Sequence, residues 1–592
     1  CNLHGHSNRL WLQPFVPCRL AMTVNNTDTF LVERSGTSYK LQAQNLMATL
    51  QDTDLMLVER SGTSYKATGL DIKNSLGSDQ PTYKANASGA ITSGEPVVLN
   101  SNNTISGIDS TSYTQGATLL TNRLQGPYDS FICPMAYDAD EDRVFATRYS
   151  GGTFQIRIGE LNGSSGTTIT WGNWQTLFTI SNRTIRDKYA VYWDDNSNQL
   201  LVFCQANQSG YGRYYMFARA INSSGTISGN ASADYNFGGQ YSQARYYPVI
   251  VRNTLDNTIF HCVWNKHSSS SNYDTAVTTY QIGSNSVTRK EDTNVSSESE
   301  SLAAAMDDDG RLVVALGDQY HHDILVSEWQ SSSNTLSNRV ASEVLHHTTD
   351  TSSSIELRMV YDSGRNGFWV TSRHYNGNYS SYSIDIWAAF FTVNASDQAQ
   401  LVSKKQVAYG DRDYQIVFHP PSRSLILAYG GGSSNEQNLM MSYRRVYLDQ
   451  YNTVQEDSEF RPNLYSGTHP IGAATVDAAF YIPGRKQILA FHLNWYWEGM
   501  SYRDRESSYY NPTYVDTNLT ASNYLGIADG SFANGAEAKA IVYPGTASGQ
   551  SGLSTGNKYY VQMDGTLALT ADDISVVAGV AQSATTIKVQ YS

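Results

Sequence analysis

A pattern that returns about every 57 residues restricts the fold of this chain more than any other feature. An apolar strand, a tight turn built from Asp, Asn, Gly or Pro, and a second apolar strand recur from Met135 to Val144, Val191 to Leu200, Val249 to Ile259, Ala304 to Leu312, Met359 to Phe368, Val417 to Leu425 and Ala479 to Ile488. The residues that open the second strand (Val144, Leu200, Ile259, Leu312, Phe368, Leu425, Ile488) are separated by 56, 59, 53, 56, 57 and 63 positions. A third alternating strand follows each hairpin, as at Phe154 to Ile158 and Ile384 to Ala388, and a Ser/Asn/Gly turn leads to a weaker fourth. Four antiparallel strands per period make one propeller blade. Closing the blades into a ring removes both the long edge strands and the capping repeats that a linear stack needs.

The expected fold is therefore all-β: a β-propeller of about seven four-stranded blades over residues 119–515, with the second strand of each hairpin nearest the axis. The copies share a pattern and no signature. Regular Trp-Asp ends, kelch-type glycine pairs and Ser-x-Asp-x-Gly-x-x-x-Trp turns are all missing from the sequence.

Composition agrees, since 41 Tyr and 45 Gly accompany only 16 % charged residues, as in an all-β chain with many exposed turns. The net charge of −13 argues against a nucleic-acid partner, which needs clustered Lys and Arg against phosphates. No run approaches the ~18–20 apolar residues of a membrane span, so no membrane insertion is expected. The start also lacks the residue order of a secretory signal, so the chain is expected to be soluble and not exported by the usual route. Cys1, Cys18, Cys133, Cys204 and Cys262 are too scattered to staple the fold and form no CxxC pair. Cys204 and Cys262 lie in apolar strand patterns and are expected to be buried free thiols.

The N-terminal region carries a different repeat. Leu31 to Lys40, Leu-Val-Glu-Arg-Ser-Gly-Thr-Ser-Tyr-Lys, returns unchanged from Leu57 to Lys66. Each copy reads as two strands about a Ser-Gly turn and then a short helix, with Leu46 and Leu50 on one helix face and Ile72 and Leu76 on the other copy's. Residues 22–78 are thus expected to form two ββα repeats, too small to stand alone and suited to docking. Residues 1–21 share no pattern with these repeats or with the rest of the chain; they are expected to be a poorly packed upstream extension, with Met22 as the natural start.

Tandem segments of the form D-T-D-x-x-L-V-x-R-S-G-x-S-Y-K resemble the N-terminal regions of structural, tail-fibre-like virion proteins from tailed phages of marine cyanobacteria. Asp52 to Lys66 matches in full, and Asp28 to Lys40 matches in the first copy, where Asn26 replaces the leading Asp. The resemblance covers some fifty residues closely. It implies a virion protein, assembled in the host cytoplasm and joined to other virion proteins through residues 22–78; a homotrimer is implied by analogy only.

The flanks of the propeller answer each other. Gly94 to Ile105 aligns without gaps on Gly556 to Leu567, each reading as a hairpin, around Asn102-Asn103 and Asp564-Gly565. A small β module interrupted by the propeller is expected, from residues 81–118 and 519–592. Leu525 to Asp529, Gly552-Leu553, Gly556, Tyr559 to Leu567 and Val577 to Val580 also resemble a β module at the ends of phage tail proteins, implying a particle-associated adhesin.

Motifs for chemistry are sparse. Asp194, Asp195, Asp307, Asp308, Asp309 and Asp362 fall in hairpin turns, where Asp serves the turn. His321-His322-Asp323 and His346-His347 read as surface or loop residues, because strand neighbours point to opposite faces and seldom close on one ion. No Gly-x-Ser-x-Gly elbow, phosphate loop or His-Glu-x-x-His is present. The expectation is a chain that is not an enzyme, with no catalytic residue, metal or cofactor.

Aromatic residues remain. Rings at Tyr211, Tyr214, Tyr215, Tyr241, Tyr246, Tyr247 and Tyr496, like those that follow, read either as a surface for sugars or proteins or as filling for the spaces between blades. Tyr375, Tyr379, Tyr382, Trp495, Trp497 and Tyr502 stand among polar loop residues and are the candidate ligand-binding set. The function expected is a virion protein of tail-fibre or adsorption type, whose propeller binds a host surface glycan or protein, or a neighbouring virion subunit. The alternative is a virion-associated propeller glycan hydrolase, a depolymerase, which needs convergent carboxylates near arginines.

Overall fold

The computed structural model describes residues 29–34, 37–42, 55–60 and 63–68 and most of 81–590. Within that last stretch, 121–123, 126–132, 151, 163–165, 181–183, 209–210, 236–246, 268–272, 285, 297–300, 318–321, 344–355, 377–382, 410–413, 432–439, 463–470, 497–503 and 573 lie outside the description. Two compact units result: residues 110–517, and a second unit made of 1–109 with 518–592. The boundaries differ from the expected ones, because Gly116–Leu119 and Leu124–Gln125 pair with Asp504–Asn511 as the outer edge of the last propeller sheet.

The 110–517 unit is a β-propeller. Among its described residues, seven antiparallel sheets of four or five strands follow one another in chain order, the middle five in simple up-and-down sequence and the first and last with an extra pairing. Ser110–Tyr113 with Tyr514–Thr517 makes a further two-stranded sheet. Glu356–Asp362, Gly367–Asn376, Ser383–Val393 and Ala399–Tyr409 form one of them, each strand paired with the next. Alternation explains the packing, since successive side chains point to the two faces and each face meets a neighbouring sheet. Seven buried apolar clusters result, one between each pair of neighbours. The last joins Phe491 and Leu489 of the seventh sheet to Met135 and Val144 of the first, which closes the ring.

One expectation is corrected here. The first strand of each hairpin lines the axis, not the second: a central cavity is bordered by residues of all seven first strands. Space at the axis is narrow, and those strands carry small residues there, such as Ala190, Ala303, Ala304, Ala478 and Ala479. The second strands are flanked on both sides and bury large rings, including Trp264 and Trp369. Burial of a ring that size contributes on the order of 2–3 kcal/mol. Cys204 and Cys262 are buried free thiols, as is Cys133.

The other unit contains two five-stranded sheets. In one, Thr82–Asn86, Pro96–Leu99 and Ile105–Gly107 from before the propeller pair with Tyr524–Ala528 and Glu537–Ile541 from after it. Its core draws on both sides, with Ala87, Ile91, Val97 and Ile105 against Ala528, Ala538 and Ala540. The second sheet, from Thr546–Ala547 to Thr586–Val589, lies wholly in the C-terminal stretch. Farther upstream, the repeated hairpins Thr29–Arg34/Thr37–Gln42 and Leu55–Arg60/Thr63–Thr68 join into one sheet through Val32 opposite Met56. The helices expected after each hairpin, and residues 1–21, lie outside the described residues.

Candidate functional site

The two ends of the ring are built differently, and the site must be placed on one of them. At the end where first and second strands meet, turn aspartates are engaged in holding the fold. Asp138 Oδ1 accepts from the N–H groups of Asp140 and Glu141, while Oδ2 accepts from Arg143 Nε at 2.7 Å. Asp307 does the same with Asp309, Arg311 N–H and Arg311 Nε, and Asp362 with Arg365.

Each arginine then reaches the neighbouring sheet. Arg143 donates to the Asn222 carbonyl at 2.7 Å, Arg311 to that of Asn394 at 3.3 Å, and Arg365 to that of Arg423 at 2.6 Å. Arg485 closes the circle on the Gly166 carbonyl of the first sheet at 2.7 Å. Burial raises the carboxyl pKa of Asp307 and Asp362, against the opposing pull of their arginines. Sequence reading assigned these aspartates to turns and missed the arginines, whose signal is a basic residue three to five positions after the Asp.

At the opposite end, second strands pass into third strands. Gly367–Asn376 leads through 377–382 into Ser383–Val393, and Gln487–Tyr496 leads through 497–503 into Asp504–Asn511. The strands that flank both candidate aromatic runs therefore meet this same end, in the fifth and seventh sheets. Tyr375 and Trp495 sit on the strands that deliver them; Tyr379, Tyr382, Trp497 and Tyr502 lie outside the described residues. Tyr214 and Tyr215 are buried in the clusters between sheets. Of the histidine candidates, His322 begins a strand, and His321, His346 and His347 are outside the description.

Beneath this end lies the axial cavity, of about 300 Å3. Apolar side chains such as Met135, Val191, Val249, Leu302 and Met359 share its wall with polar surface, and Arg358, Gln415 and Asp477 from three consecutive sheets gather polar side chains in one sector. Asp477 is buried; its Oδ2 accepts from the equally buried Arg505 Nε at 2.6 Å and its Oδ1 from the Cys133 N–H at 3.3 Å. Burial opposes the Arg505 charge, but the groups around it, Asp477 foremost, together outweigh that, and the guanidinium pKa is raised. Burial also pushes the Cys133 thiol up to about 11, against the pull of Arg505, so it stays protonated near neutrality.

A recurrent hydroxyl relay accompanies this pair. Thr147 Oγ1 donates to the Pro134 carbonyl and lies 3.2 Å from the Tyr189 hydroxyl of the next sheet. Four sheets on, Thr371 Oγ1 donates to the Tyr414 hydroxyl at 3.0 Å, which donates to the Glu356 carbonyl at 3.0 Å. The Glu356 carboxylate bridges Arg358 and Arg373, and His492 Nε2 lies 3.6 Å from Glu506 Oε2. Sequence reading missed Glu356, Asp477, Arg505 and Glu506; the available signal was a charge set inside an apolar strand pattern, as in Ala474-Thr-Val-Asp-Ala-Ala479. Among the described residues no group of three His, Cys, Asp or Glu side chains is placed to hold a metal ion.

No family model matches the chain, and no curated protein matches it. Solved structures do. The β-propeller domain of Nup133 from Vanderwaltozyma polyspora is 10 % identical, with a TM-score of 0.38, over 68 % of this chain and 100 % of that one. The Dos1 propeller is 10 % identical, with a TM-score of 0.36, over 66 % and 95 %. The NanB sialidase from Streptococcus pneumoniae is 9 % identical, with a TM-score of 0.37, over 67 % and 70 %. The likeness is one of fold. The expectation that the chain is not an enzyme does not stand, because a site assembled from separate sheets leaves no short motif and missing motifs do not exclude catalysis. The chain is an all-β protein with a β-propeller at its centre, as its sheet order and the cluster between the last and first sheets show.

Proposed function

We propose that this chain is a bacteriophage virion structural protein of the tail-fibre or adsorption type, whose propeller presents a binding surface to a host surface glycan or protein, or to a neighbouring virion subunit. The observation that carries the reading is that the strands flanking the two aromatic runs, Gly367–Asn376 with Ser383–Val393 and Gln487–Tyr496 with Asp504–Asn511, meet one end of the ring. Rigid rings with polar tips bind sugars and protein surfaces at low entropic cost. The repeated hairpins within 22–78 would join the particle, and their resemblance to cyanophage virion proteins supports that assignment. A virion location and a homotrimer belong to the same proposal.

A second reading, a glycan depolymerase, draws support from the buried acid and base groups beneath the same end, where Asp477 pairs with Arg505 and Glu506 neighbours His492. Incubating the purified protein with host cells and with isolated surface polysaccharide separates the readings. Retention without new reducing ends supports adsorption, and release of reducing ends supports hydrolysis. Neither outcome, with assembly into particles intact, would leave a decoration protein.

A further inference from the structure

We infer that the unit formed by 81–109 and 518–592 is a tandem duplication of one five-stranded module, that the propeller is an insertion into a single connection of the first copy, and that this unit opens and closes independently of its insert. The two sheets have the same strand order. Thr82–Asn86, Glu537–Ile541, Tyr524–Ala528, Pro96–Leu99 and Ile105–Gly107 lie side by side in that sequence, and so do Thr546–Ala547, Thr586–Val589, Val576–Ser583, Lys558–Val561 and Leu567–Ala568. The connection that the C-terminal copy makes with residues 569–575 is, in the first copy, the one that holds the whole propeller.

Hydrogen bonds repeat position for position. Gly94 N–H donates to the Ala528 carbonyl and Ala528 N–H to that of Glu95; in the second copy Gly556 donates to Ala581 and Ala581 to Asn557. The hairpin turns agree atom for atom: Thr104 Oγ1 donates to Asn102 Oδ1 at 2.7 Å, and Thr566 Oγ1 to Asp564 Oδ1 at 2.6 Å. Val542 N–H meets the Pro81 carbonyl at 2.8 Å where Val589 N–H meets that of Gly545 at 2.8 Å.

Glycines mark the same constraint twice. A Cβ at Gly526 would overlap the carbonyl oxygen of Ile541, and one at Gly579 would overlap that of Lys588, with φ of 155° and 156°. Sequence identity between the copies is low, yet the same backbone approach requires the glycine in Leu-Gly-Ile-Ala at 525–528 and in Ala-Gly-Val-Ala at 578–581.

The ends of the insertion are already neighbours within this unit. Asp109 N–H donates to Asn518 Oδ1 at 3.0 Å, and Asn518 N–H donates to the Asp109 carbonyl at 3.2 Å. The module therefore keeps its own pairing on either side of the insert. Its folding does not require the propeller's, and the propeller becomes cargo that can be exchanged.

Hydrogen exchange of the full chain read by mass spectrometry tests this, and its readout does not depend on the function proposed above. Gly526→Ala should raise exchange by at least about tenfold in 82–107 and 524–541 together, with the propeller sheets unchanged. Asn103→Ala, which strains only the turn, should give the same distribution at smaller amplitude if Gly526→Ala does not fold. Asp307→Ala should do the reverse, loosening propeller sheets and leaving both modules protected. Faster exchange in 524–541 without 82–107 would overturn the shared module, and spread of the effect into the propeller would overturn its independence.

Discussion

The turn end of the ring ties charges that are neighbours in sequence, whereas the opposite end ties charges carried by different strands of one sheet. Asp138 and Arg143 are five positions apart, and Asp307 and Arg311 four. Asp477 and Arg505 are 28 apart, and the Cys133 N–H that also holds Asp477 is 344 away. Local pairs can form as each hairpin forms. The Asp477–Arg505 pair joins two strands of the seventh sheet, and the Cys133 N–H bond then ties it toward the first sheet, so its loss is felt in that sheet and at the closure of the ring. The second kind of end is the one able to gather side chains from several sheets around a ligand.

The largest test removes a remote pair. Asp477→Ala leaves the buried Arg505 without its carboxylate and should cost about 3–5 kcal/mol in chemical denaturation, while replacing both residues with apolar ones should recover most of it. A loss below about 1 kcal/mol would erase the distinction between the ends. Acid titration probes the turn end, where His419 occupies the sixth sheet's turn position and accepts the Ser422 N–H at Nδ1. Burial lowers its pKa from 6.5 to about 4, despite a hydrogen bond to the Lys486 carbonyl that raises it.

Below pH 6.5 the unfolded chain therefore binds the proton first. The stability contribution is whole above 6.5 and falls by about 1.4 kcal/mol per pH unit down to about 4. His419→Asn, which keeps an acceptor without a titration, should flatten that limb of the melting-temperature profile.

Smaller effects sharpen the picture. Arg485→Ala removes the donation to the Gly166 carbonyl and the guanidinium stacked 4.3 Å from the Tyr509 ring, and should cost about 1–2 kcal/mol by thermal melting. Tyr379→Ala and Tyr502→Ala should leave stability within about 0.5 kcal/mol and lower retention on host cells. Unchanged retention by the double variant would move the binding surface elsewhere.

Much of the propeller was legible because its determinants are local. A turn needs Asp, Asn or Gly where the backbone reverses, and a strand between two sheets needs apolar residues on both faces; both leave a written trace every period. The candidate site was legible only as aromatic runs. Tyr214 and Tyr215 look like Tyr379 and Tyr382 in sequence, and only the first two are shown to fill the space between sheets. Which strand lies at the axis was misread for a related reason, since both strands of each hairpin are apolar and the narrowness of the axis has no sequence signature.

The sequence by itself determined the strand content, the period and the turns, because those follow from hydrogen bonding and side-chain alternation within a few residues. The tertiary structure alone decided that Gly116–Leu119 completes the last sheet, that Arg485 latches it to the first, and that Cys133, Asp477 and Arg505 converge beside the axis. Asp477 and Arg505 meet across one sheet, whereas the other contacts join residues more than 300 positions apart and exist only once the ring has closed.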